Sequence, residues 1–80
     1  MILTDMRRRI DEVDNEIVRL LNKRATISLD INAAKSATGA PYIDDARKRE
    51  ILRRVCRRNS GPIKDFRLVC IYEAILLAGQ

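Results

Sequence analysis

Arg24 and Lys35 are the two side chains most at odds with their surroundings. In "LLNKRATISLDINAAK", residues 20 to 35, apolar residues recur at helical spacing, and Arg24 stands where that spacing asks for another Leu or Ile. A buried guanidinium without a partner costs several kcal/mol, so a seam arginine needs an anion. Lys35 follows at roughly 16 Å along the axis, about three turns on and nearly on the same face, so both long side chains can reach into one pocket between them. Arg7 lies roughly 25 Å back along the same helix, too far for that pocket, but it can approach Arg24 of a second, antiparallel copy. Asp44 and Arg47, at the opening turn of a later helix, would supply the remaining wall. Fixed cations in this arrangement suit an anionic ligand, and the planar fork of Arg binds carboxylate or phosphate through two parallel hydrogen bonds. Each residue alone also has a plainer role. Arg24 can bridge to an acid or snorkel at a subunit edge, Lys35 can meet a helix C-terminus, Arg7 belongs to a solvated "RRR" run, Asp44 can cap a helix and Arg47 can sit on the surface.

The elements that must hold these residues are helical. Leu3, Met6, Ile10, Val13, Ile17, Leu20, Ile27, Ile31 and Ala34 fall at alternating steps of three and four, broken only at 24, which is a heptad seam in one long helix over the first 36 residues. Thr4 or Asp5 is expected to cap its start. Gly39, Ala40 and Pro41 are expected to end it. Asp44 or Asp45 caps a second helix running to about Arg58, with Ile51, Leu52 and Val55 on its buried side. "NSGP", residues 59 to 62, reads as a turn that sets Pro62 near the first position of a third helix. From Ile63 onward this third segment is apolar nearly all round and needs cover on several sides. Laid end to end, the two shorter helices span about 45 Å and can line one side of the first. The remaining apolar surface predicts an all-α chain of three helices, one long and two short, in an intertwined homodimer, with residues 1–80 as a single domain.

Composition narrows the chemistry. The chain has 80 residues, 46% hydrophobic and 34% charged, with a formal charge of +5. Chains of this length bury only about 60% of their unfolded surface, which favours help from a second subunit. There is no His, which excludes His-based acid–base catalysis, a Ser-His-Asp triad and the usual zinc sites; no metal is expected. One Phe, two Tyr and no Trp make a poor stacking platform for single strands. Arg7 to Arg9, Arg53, Arg54, Arg57 and Arg58 give a basic helical dimer gripping RNA or DNA as an alternative of another class, but they are spread over different faces without a recognition motif, so nucleic acid is not the expected partner. Cys56 and Cys70 lie inside helical patterns and read as reduced packing residues. No export signal or membrane span is visible, so a cytoplasmic location is expected.

In their order and spacing these residues resemble a known family. "MRRRIDEVDNEIVRLLNKRATIS", then Lys35, then "PYIDDARKREIL", with a weaker "NSGP…IYEAIL" end, is similar over nearly the whole chain to the all-helical class of chorismate mutases. The most specific part is R-x-x-I-D-x-x-D-x-x-I-x-x-L-L-x-x-R combined with D-x-x-R. The resemblance implies an enzyme that rearranges chorismate to prephenate, the branch step toward Phe and Tyr, by a pericyclic reaction needing no base, nucleophile, metal or cofactor. It implies that Arg24 and the partner copy's Arg7 bind the two carboxylates, and that Lys35 donates to the ether oxygen and a carboxylate. Asp44 would lie near the ring hydroxyl and Arg47 would complete the cationic wall. Lys48 stands where the family usually has a Glu contacting the substrate hydroxyl, so weaker ring recognition or a different substrate is expected there. Gly79 stands where the family tends to have Ser. The Gln or Glu usual four residues further, which contacts the ether oxygen, would be replaced imperfectly by Gln80 or not at all. An isochorismate pyruvate-lyase or a non-catalytic regulatory relative on the same fold is the alternative the resemblance leaves open.

Overall fold

The computed structural model describes residues 2–38 and 44–79. These form three helices: α1 over Leu3–Thr38, α2 over Asp45–Arg58 and α3 over Asp65–Ala78. Among the described residues there is no strand. The expected Gly39-Ala40-Pro41 stop and Gln80 lie outside the described residues.

The long helix sets the shape. Its 36 residues correspond to about 54 Å of axis, and the longest dimension of the molecule is 55 Å, against 23 and 15 Å for the other two. The radius of gyration is 15.8 Å, whereas a compact chain of this length has about 12 Å. The start of α1 differs from expectation. The helix opens at Leu3, and the amides of Asp5 and Met6 donate to the Ile2 carbonyl. Thr4 and Asp5 therefore lie inside the first turn rather than capping it. There Asp5 favours the positive end of the helix dipole and faces Arg8 at 3.7 Å.

α2 is capped as expected: Asp44 Oδ1 accepts from the amides of Ala46 at 3.0 Å and Arg47 at 3.2 Å. Its inward side carries Ile51, which is buried, with Leu52 and Val55 half-buried. The turn after it differs from the Pro-first expectation. α3 opens at Asp65 with Lys64 as N-cap, three positions beyond Pro62. The reason is Asn59, whose Nδ2 donates to the Ile63 carbonyl at 2.7 Å and to Asp65 Oδ1 at 2.8 Å, while its Oδ1 accepts from the Gly61 amide. Gly61 has φ +80°, the left-handed region that favours glycine. This braced turn holds residues 60–64 out of the helix.

It also reverses the chain, and that corrects the expected layout. α2 and α3 do not lie end to end along α1; they pack on one another. The start of α2 faces the end of α3, and both line one cleft with the C-terminal part of α1. Among the described residues only Ile51 and Asn32 are buried, whereas Leu3, Met6, Ile10, Val13, Ile17 and Leu20 are about half exposed or more. Phe66, Ile71 and Leu77 of α3 are exposed as well. Cys56 and Cys70 are both unbridged, Cys56 half-buried and Cys70 exposed rather than packed. Among the described residues no helix is long and apolar enough to cross a membrane.

Candidate active site

An open cleft of about 860 Å³ lies where the last four turns of α1 meet the first turns of α2 and the end of α3. At 3.6 residues per turn, Arg24, Ser28, Asn32 and Lys35 fall within about 80° of arc on α1, so a single face presents all four to the cleft. The opening of α2 contributes Asp44, Arg47 and Lys48, and Ile51 forms part of the apolar floor. Five of the six expected site residues, Arg24, Lys35, Asp44, Arg47 and Lys48, therefore line one cavity. Arg7 does not; it is exposed on the uncovered part of α1.

Arg24 is half-buried and its Nη1 donates to Ser28 Oγ at 3.4 Å. Among the described residues no carboxylate lies within ion-pair distance of it, so the plainer role of bridging to an acid within its own chain is not realised. Its guanidinium has five donor hydrogens, most of which remain for a ligand. Lys35, also half-buried, projects from the same face nearly three turns on. Asp44 Oδ1 is engaged by the start of α2, and a carboxylate retains acceptor capacity on its second oxygen. Arg47 is paired with Glu50 at 2.7 Å at the edge of the cleft, both side chains being solvent-exposed.

Several cleft residues lie outside the expected set: Ser28, Asn32, Asp45, Glu50, Glu73 and Gly79. Ser28 and Asn32 were detectable, because they continue the row from Arg24 at steps of four. Glu73 and Gly79 carry no such signal, since only the return of α3 over α1 brings them in. With them, four cations and four carboxylates line the cleft of one chain, a more balanced wall than the cationic one expected. Two of those acids are already engaged, Asp44 by amides and Glu50 by Arg47. Among the described residues no cluster of side chains is suited to holding a metal ion.

Residues 6–78 match the chorismate mutase type II family. The chain is 38% identical over 80 residues to the bifunctional chorismate mutase/prephenate dehydratase of Aquifex aeolicus, covering 95% of this chain and 22% of that protein. It is 31% identical over 61 residues to the chorismate mutase of Methanocaldococcus jannaschii, covering 72% of this chain and 62% of that one. Among solved structures, form I of the chorismate mutase from Thermus thermophilus superposes with a TM-score of 0.94 at 28% identity, over 98% of both chains. This chain belongs to the chorismate mutase type II family. It spans only about a fifth of the bifunctional relative's length.

Proposed function

We propose that this chain is a chorismate mutase domain that rearranges chorismate to prephenate in the route to Phe and Tyr, acting in the cytoplasm as a homodimer whose sites are shared between subunits. One observation carries the reading: a face of α1 and the capped start of α2 gather Arg24, Lys35, Asp44, Arg47 and Lys48 around a single cleft, in a chain of this family. The reaction is an intramolecular rearrangement of a dicarboxylate, so the protein's task is to hold a compact conformer and favour the charge developing on the breaking ether oxygen. Arg24 grips one carboxylate and the partner subunit's Arg7 grips the other. Lys35 donates to the ether oxygen, where its charge stabilises the transition state more than the ground state. The second oxygen of Asp44 accepts from the ring hydroxyl, and Arg47 with Lys48 closes the side toward α2. The partner's Arg7 would also tip the balanced charge of the cleft toward the cationic side.

The dimer is supported by the exposed surface. One chain exposes 6730 Å², whereas a compact monomer of this size exposes about 4,900 Å². The excess, taken over two copies, is in the range of an obligate interface. The apolar seam residues of α1 from Leu3 to Leu20 are all exposed, which gives such an interface an apolar face.

The test is loss of chorismate absorbance on adding the protein, with prephenate identified as the product. A kcat/KM lowered at least about a hundredfold in Arg24→Ala, with the dimer intact, is the expected result. Pyruvate release from isochorismate would favour the lyase alternative, and dicarboxylate binding without turnover the regulatory one. An unchanged kcat/KM in Arg24→Ala would overturn the assignment of the cleft.

A further inference from the structure

Where α1 meets the end of α3, three side chains at successive turns converge on a residue that has none. Asn32 is buried, and its Nδ2 donates to the Gly79 carbonyl at 3.4 Å, fixing the end of α3 against α1. One turn back, Ser28 Oγ accepts from Arg24 Nη1 at 3.4 Å. A Cβ placed on Gly79 would stand 3.3 Å from Ser28 Oγ and 3.6 Å from Arg24 Nη1. Gly79 has φ −89°, a value any residue adopts, so the backbone does not require glycine there. The adjoining space disfavours a side chain, because at 3.3 Å Ser28 Oγ would have to give by a few tenths of an ångström.

An arginine side chain left to itself samples many rotamers, and ordering it on binding weakens affinity. We infer that Ser28 is a positioning residue for Arg24, its hydroxyl holding the guanidinium toward the cleft, and that Gly79 is side-chain-free so that hydroxyl and guanidinium can occupy this place together. Asn32 supports the arrangement by keeping Gly79 in register. This inference rests on the function proposed above. Arg24 there contacts a carboxylate present in both ground and transition states, so misplacing it weakens both equally. Such uniform loss raises KM and leaves kcat nearly unchanged.

The experiment compares wild type, Ser28→Ala, Ser28→Thr, Gly79→Ala and the Ser28→Ala/Gly79→Ala pair, measuring KM and kcat for chorismate, the Kd for prephenate, and Tm. Ser28→Ala is expected to raise KM and Kd about five- to tenfold with kcat within about twofold. Ser28→Thr, which keeps the hydroxyl, should restore both constants. Gly79→Ala should raise KM by a similar factor, and the pair should be no worse than the worse single variant, because both changes disturb the same contact. A merely structural role would lower Tm and leave KM in place. Unchanged KM and Kd in Ser28→Ala, or independent multiplication of the two effects, would overturn the inference. If wild type binds prephenate without turning chorismate over, the proposed function fails while the Kd series still decides the role of Ser28. If it binds neither ligand, both fall.

Discussion

The two halves of α1 continue one heptad pattern into opposite surroundings. From Leu3 to Leu20 the seam is apolar, yet among the described residues nothing covers it, and its residues remain 47–60% exposed. From Arg24 to Lys35 the same helix turns a polar face toward α2 and α3, and there Arg24, Ser28 and Lys35 are half-buried and Asn32 is buried. A self-sufficient chain would place these the other way round, apolar side chains inside and charges in water. The inversion makes sense if the first half meets a second copy and the second half meets an anionic ligand. On the proposed function, the halves divide assembly from chemistry along a single element, and Arg7, on the assembly half, would link them.

The sharpest way to break this division is a charge in the apolar half. Ile10→Asp is expected to abolish the dimer in sedimentation equilibrium and, with it, all turnover, since a carboxylate in a closed seam has no partner. A monomer that stays folded and active would refute the role given to that half. In the polar half, Arg24→Ala should lower kcat/KM at least about a hundredfold with the sedimentation profile unchanged, because one carboxylate of the ligand loses its charge-assisted grip. At the edge of the cleft, Asp44→Ala removes the α2 cap and should destabilise by about 1 kcal/mol, read as a Tm lower by about 4–8 °C if the domain unfolds in one step. The smallest effect marks the background of the comparison. Arg19→Ala deletes an exposed pair with Glu16 at 2.9 Å and should change stability by less than about 0.5 kcal/mol, with kinetics unaltered.

The sequence made α1 legible because its pattern is long and regular, and it made Arg24 conspicuous because one charge broke that pattern. Asp44 and Arg47 could be placed through capping chemistry, which depends only on near neighbours. What stayed hidden depends on how the chain doubles back. The third helix opens at Asp65 because Asn59 braces the turn, a contact between residues whose types alone allow many others. The packing of α2 on α3, instead of along α1, follows from that reversal. Glu73 and Gly79 enter the cleft only as a result of it. Ser28 and Asn32 were within reach of the same helical arithmetic that singled out Arg24 and Lys35, but small polar residues on a helix are common enough to pass unremarked.

The claim at the centre is that each site takes Arg24 from one subunit and Arg7 from the other, and subunit mixing tests it directly. Arg7→Ala and Arg24→Ala, each strongly impaired alone, are unfolded together, refolded at equal amounts and assayed for chorismate turnover. In a shared-site dimer, each heterodimer places both substitutions in one site and leaves the other intact, so random assortment should restore roughly a quarter of wild-type activity. A mixture no more active than its parents would contradict it.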